Sequence, residues 1–160
     1  MTTARSAPLS SARLAAVQAL YEMDLAGAGA DPVLEAIMAE RWSSAALEGD
    51  GEDESGDFTP PDQDLLKELV AGVSGDTDSI DRHLKTALNH PHTVDTLETL
   101  LRAVLRAAVF EMASRPQAPA VVIIKEYVDV ADAFFDGREP ALVNGILDHL
   151  GREMRPGEFS

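Results

Sequence analysis

The chain contains no cysteine. Disulfides, thiolate nucleophiles and cysteine-based metal sites are therefore excluded. Aromatic residues make up only 5% of the sequence, and the apolar stock is mostly Ala, Leu and Val, which favours helix over sheet. No apolar run approaches the roughly 20 residues that a membrane span needs. The opening stretch MTTARSAPLSSARLAAV carries two arginines but no separate apolar core with a cleavage site, so no signal peptide is expected. Positive charge is also scarce: 13 Lys and Arg stand against 28 Asp and Glu, a formal net charge of −15. Such a balance argues against general nucleic-acid affinity, which comes from neutralising phosphates. At 160 residues the chain is long enough to bury a core without covalent staples. A soluble, cytoplasmic protein forming one helical domain is the expectation.

What is present begins with an uneven distribution of acid. From Glu48 to Asp64, EGDGEDESGDFTPPDQD holds eight acids, three glycines, two prolines and no base. A segment of that composition buries too little apolar surface to order itself, so Gly49–Pro61 reads as an acidic flexible loop. Without it the body is much closer to neutral, and the global charge is a poor guide to any one face.

Periodicity divides the remainder into helices. In Ser11–Leu25 the polar positions Ser11, Gln18 and Glu22 share a narrow strip and almost everything else is small or aliphatic, the pattern of a central, buried helix. Asp31-Pro32 reads as a capping pair for a helix running to about Leu47. A third helix covers about Asp62–Val73, and a fourth runs from Thr77 or Asp78 to about Leu88, where NHPH stops it. Leu97, Leu101, Val104, Leu105, Ala108 and Met112 form one stripe of the next, with Arg102 and Arg106 on the far side and Glu98 four residues before Arg102. AVVIIKEYVDVADAFF begins with four β-branched residues, a strand signal. Helical spacing nevertheless aligns Ile123, Tyr127, Val130 and Phe134, with Lys125, Asp129 and Asp132 opposite. A helix is predicted. FDGREP is a turn, with Gly137 suited to a helix C-terminus and Pro140 to the start of the last helix, which runs to about Arg155 and buries Leu142, Val143, Ile146, Leu147 and Leu150. The predicted fold is all-α, a compact bundle of about seven helices.

The chain offers catalysis little. It has no glycine-rich phosphate loop, no nucleophile elbow and no helical metal motif. His83, His90 and His92 lie within ten residues, but no cysteine joins them and a proline separates the last two. They read as loop histidines at a helix end, not metal ligands. No catalytic residue, metal or cofactor is expected.

Four blocks then stand in order and register: SARLAAVQALYEMDLAG, LLRAVLRAAVFEM, PAVVIIKEYVDVADAFF and EPALVNGILDHL. Together they resemble the NusB family of bacterial transcription antitermination factors, over nearly the whole chain apart from the acidic loop. The resemblance implies an all-helical protein of two subbundles that carries no catalysis. It implies pairing with NusE, a small-subunit ribosomal protein, and joint binding of the boxA element of nascent RNA, chiefly from ribosomal RNA operons, within an RNA polymerase antitermination complex. Some members form homodimers that cover the RNA-binding face.

Residue by residue, the resemblance assigns RNA contacts to Arg5, Arg13, Gln18, Tyr21, Phe134 and Arg138, although by their helical positions Tyr21 reads as half core and half edge, and Phe134 as core packing, with stacking on an unpaired RNA base the alternative. The family's arginine-rich opening is reduced here to RSAPLSSAR, with Arg13 in the helix and Arg5 upstream on an arm. A lone cation in a first helical turn gains nothing from the helix dipole, which favours an RNA-facing role for Arg13. Asn144 and Gly145 match the signature and read as structural, Gly145 allowing close helix packing and Asn144 bridging backbone groups. The exposed side of the Glu98–Arg106 helix, through Glu98, Leu101 and Arg102, is the expected partner-binding surface. With so few cations, affinity for RNA alone should be low and NusE must supply positive surface. The rival reading is a protein-binding scaffold of the same fold that has lost independent RNA binding.

Overall fold

A computed structural model describes residues 3–39, 59–89 and 92–159, with the side chains of residues 3–6 outside what is described. Among the described residues there are seven α-helices and no strand. They are α1 (Thr3–Ala26), α2 (Ala30–Ile37), α3 (Gln63–Gly75), α4 (Thr77–Ala87), α5 (Thr99–Ser114), α6 (Ala120–Phe134) and α7 (Glu139–Met154), followed by a 3₁₀ turn at Pro156–Glu158. The chain divides into two compact units, Met1–Val70 and Ala71–Ser160, with the boundary inside α3.

In the first unit α1 is longer than its periodicity suggests. It starts at Thr3, eight residues before Ser11, and carries Pro8 inside it. Proline usually marks a helix start because it lacks the N–H and clashes with the preceding turn. Here the Pro8 carbonyl accepts from the Asp62 N–H at 2.9 Å, outside the helical ladder. Small residues dominate the buried side of α1: Ala12, Ala15, Ala16, Val17, Ala19 and Leu20. The helix ends on Gly27, whose φ of +69° only glycine adopts cheaply and whose N–H caps the Met23 carbonyl at 2.9 Å.

Helix α2 packs on α1 and buries Val33 and Ile37. Its N-cap is Gly29, so Asp31 and Pro32 sit in the first turn and not at the cap. The predicted continuation to Leu47 and most of the acidic loop Gly49–Pro61 lie outside the described residues. Asp62 caps α3, its Oδ1 accepting from the Leu65 N–H at 2.8 Å. Leu65, Leu66, Leu69 and Val70 follow at helical spacing, all buried.

The second unit is built on α5 and α7, each of which packs against α4, α6 and the other. The predicted stripe of Leu97 and α5 is buried throughout, and Ala103, Ala107 and Val109 are buried besides, so α5 is apolar nearly all round. In α6 the strand-like run is helical: Ile123, Tyr127 and Val130 are buried, while Lys125 and Asp129 pair at 2.9 Å on the exposed face. Val121 and Val122 remain 60% and 43% exposed. Helix α6 ends through extended Phe135, and Gly137 has no positive φ, so it is a turn residue and not the helix cap. Helix α7 starts at Glu139 and buries Val143, Ile146, Leu147 and Leu150; Leu142 is only half-buried.

Three polar devices hold this unit together. Arg106 donates two bonds, of 2.9 and 2.8 Å, to the Asp81 carboxylate and ties α5 to α4. Glu111 is fully buried in α5, accepts from the Tyr127 hydroxyl of α6 at 2.9 Å and lies 3.4 Å from Arg115. Beyond α7, the Arg155 guanidinium donates to the carbonyls of Met112, Arg115 and Ala118 and pairs with Glu158. Glu158 in turn accepts from the Ala120 N–H at 2.8 Å, at the start of α6. That bond holds the Glu158 carboxyl below the ordinary carboxylate range against the opposing pull of desolvation, with Arg155 adding to the effect. Phe159 completes the clip, packing where Gly151 has no side chain and beneath the Arg152 guanidinium.

Candidate functional site

The nine singled-out positions fall into one group in each unit. In the first unit they lie on α1. Arg5 is inside this helix and not on an arm upstream of it, and its side chain is outside what is described. Arg13, the eleventh residue of α1, is far from the first turn, so the dipole argument for it does not apply. It is only 4% exposed and engaged inside the molecule, a buried cation and not a surface one. Gln18 and Tyr21, three residues apart on one helical face, are both half-buried.

In the second unit, Phe134 closes α6 and is half-buried, and Arg138 is the exposed N-cap residue of α7. The three expected partner residues behave differently from one another. Glu98 is exposed at the N-cap of α5. Leu101 is buried, at 5% exposure. Arg102 turns back on the linker before α5, donating to the Val94 and Asp95 carbonyls at 3.2 and 3.4 Å, which commits part of its fork to holding that linker.

Tertiary structure joins two of these sets. A groove of about 610 Å³ is lined by His92, Thr96, Leu97, Glu98, Leu101, Arg138, Glu139, Ala141 and Leu142. Arg138, expected at RNA, thus shares a groove with Glu98 and Leu101, expected at the protein partner. Sequence reasoning missed Glu139, Ala141 and Leu142 as groove residues, although all lie in the quoted block EPALVNGILDHL. Nothing local signals that the first turn of α7 faces the linker before α5. Asn144 and Gly145 are both exposed, and a side chain added at Gly145 would meet nothing within 4 Å. The packing role expected for Gly145 is therefore overturned, and exposed Asn144 is placed towards solvent.

His83 is half-buried in α4, His92 is exposed, and His90 lies outside the described residues. Among the described residues no group of three His, Cys, Asp or Glu side chains is placed to hold a metal ion. No helix there is long and apolar enough to cross a membrane.

These features define an all-α protein of two helical units. The comparisons with known proteins are specific. The model of the NusB family matches residues 10–152, and the chain belongs to that family. The transcription antitermination protein NusB of Bradyrhizobium diazoefficiens is 40% identical over 148 residues, covering 92% of this chain and 86% of the relative. That of Rhodospirillum rubrum is 42% identical over 159 residues, covering 94% and 86%. Among solved structures, T. maritima NusB superimposes with a TM-score of 0.71 at 22% identity, covering 94% of this chain and 95% of the other. A crystal structure of the antitermination factors NusB and NusE in complex with double-stranded RNA gives a TM-score of 0.68 at 20% identity, covering 90% and 96%. At those identities the structural matches establish the fold.

Proposed function

We propose that this chain is a cytoplasmic, non-enzymatic antitermination factor that pairs with NusE and, with it, binds boxA RNA of ribosomal RNA operons as part of an RNA polymerase antitermination complex. The observation that carries this reading is the roughly 40% identity to NusB antitermination proteins over more than nine-tenths of the chain. The contacts with RNA come from Arg138 and Phe134 at the α6–α7 turn and from Gln18 and Tyr21 on α1. Arg5 adds charge at the start of α1. Arg13 serves from inside, a buried guanidinium that holds the α1 face in place for the residues that reach RNA. A homodimer that covers these residues is the free form this reading allows.

The scaffold reading, in which RNA binding without a partner has been lost, is favoured by one observation: burial removes Arg13 from an already thin set of surface cations. Both readings meet the same test. A labelled boxA RNA is titrated with this chain, with NusE and with both, across a salt series. Tight binding by the pair alone supports the joint reading, and Arg138→Ala should then flatten the salt dependence by about 0.7 in the log–log slope, the share of one neutralised phosphate. A pair that binds boxA no better than NusE alone leaves only the protein-binding scaffold.

A further inference from the structure

We propose that Glu139 is the residue that selects a cationic side chain of the protein partner, seated in the groove between the linker before α5 and the first turn of α7. The inference rests on the reading that this chain pairs with a basic protein.

The groove's lining combines apolar side chains with two carboxylates and one guanidinium. Leu97 and Leu101 are buried beneath it, and Ala141 and Leu142 supply the opposite side. Glu98 and Glu139 bring two carboxylates and Arg138 a guanidinium. Glu139 stands out chemically: its Oε1 is shielded from water and has no hydrogen-bond partner among the described residues. A shielded carboxylate oxygen without a donor is costly, and any group that draws it into a bond recovers that cost. The oxygen rests against Gly137, 3.1 Å from where a β-carbon would stand, so the glycine leaves it the room it occupies.

The donor this arrangement fits is a lysine or arginine from a protein segment that also lays an aliphatic side chain against the groove's leucines. Phosphate is disfavoured inside the groove, because two carboxylates line it and a phosphate oxygen accepts where Glu139 needs a donor. Charge complementarity points the same way, since two carboxylates, Glu98 and Glu139, line the groove against the one guanidinium of Arg138. Arg138, which lines the same groove, then lies beside the seated segment, so the protein partner and RNA meet at one edge. That adjacency would make binding of one favour binding of the other.

The test uses the full chain and NusE as the probe, with affinity measured by calorimetry at several salt concentrations. Glu139→Gln keeps the shape and removes the charge. It should weaken NusE binding by about tenfold or more and reduce its salt dependence without lowering the melting temperature, because Oε1 makes no bond among the described residues that the amide would lose. Ala141→Arg, at an exposed groove position, should block the seat to a similar degree by bulk and like charge. Wild-type chain that binds NusE together with a Glu139→Gln variant equal to it within about twofold would overturn this proposal alone. Loss on Glu139→Gln with full binding by Ala141→Arg would also overturn it, since the carboxylate would then act elsewhere. Failure of the wild-type chain to bind NusE at all would instead remove the functional reading on which it stands.

Discussion

Replacing Arg155 by alanine should lower the melting temperature by roughly 6–12 °C, and the size follows from where its fork points. The guanidinium donates to three backbone carbonyls, those of Met112, Arg115 and Ala118, and to the Glu158 carboxylate. Two of these carbonyls belong to the end of α5 and its cap, whose last-turn oxygens have no partner in the helix itself. The third belongs to the turn that leads into α6. The arginine side chain is only 9% exposed, so water replaces it poorly. Hydrogen bonds to charged groups contribute about 1.5–3 kcal/mol each, but carbonyls this close to the surface recover part of that from solvent. A net cost of about 3 kcal/mol results, and at roughly 2–4 °C per kcal/mol for a chain of this size the stated shift follows. Thermal unfolding followed by circular dichroism measures it. Arg155→Lys sharpens the test, because one ammonium cannot span three carbonyls and should restore no more than about a third of the loss. A drop below about 2 °C for the alanine variant, or full rescue by lysine, would refute the argument that the fork is what closes the α5–α6 turn.

Three more outcomes are expected. The Glu158 carboxyl is held below its ordinary range in the folded state, so its contribution is full above the ordinary glutamate pKa and is lost as pH falls through the lowered value. The melting-temperature gap between wild type and Glu158→Gln should therefore be present at pH 7 and close towards pH 3; a gap independent of pH would contradict it. A side chain at Gly72 would stand 2.0 Å from the Phe110 ring, so Gly72→Ala should destabilise by about 1–3 kcal/mol in urea titration despite alanine's better helix propensity, and Phe110→Leu in the same chain should relieve it. Tyr127→Phe removes the hydroxyl that donates to buried Glu111 and should cost about 1–3 kcal/mol, whereas a cost near zero would mean that the Glu111 carboxylate is satisfied without it.

Much of the fold was legible because helical periodicity is a local property. The strand-like run from Val121 to Ile124 reads as helix once Ile123, Tyr127 and Val130 are aligned, and the fold leaves Val121 and Val122 exposed as that alignment requires. The Asp62 start of α3 and the apolar stripe of α5 were equally readable, since capping and amphipathicity need only near neighbours. Local rules misled at the start of α1, read at Ser11 although the helix runs from Thr3 through Pro8, and at Asp31, where Gly29 takes the cap. The site was less legible. Arg138 and Glu98 are distant in sequence, and only the packing of α5 against α7 brings them to one groove.

By itself, then, the sequence determined an all-α fold of about seven helices, matched by the seven among the described residues, an acidic chain without cysteine, and four blocks in register that point to the family. Tertiary structure alone decided that Arg13 is buried, that Arg155 closes the α5–α6 turn, that Gly145 faces open space and that Glu139 has an oxygen without a donor among the described residues. The physical reason is the range of the forces involved. Helix formation is governed by residues three or four apart, which a sequence displays. Burial of a charge and satisfaction of a carbonyl depend on groups tens of residues away, whose distances exist only once the chain has folded.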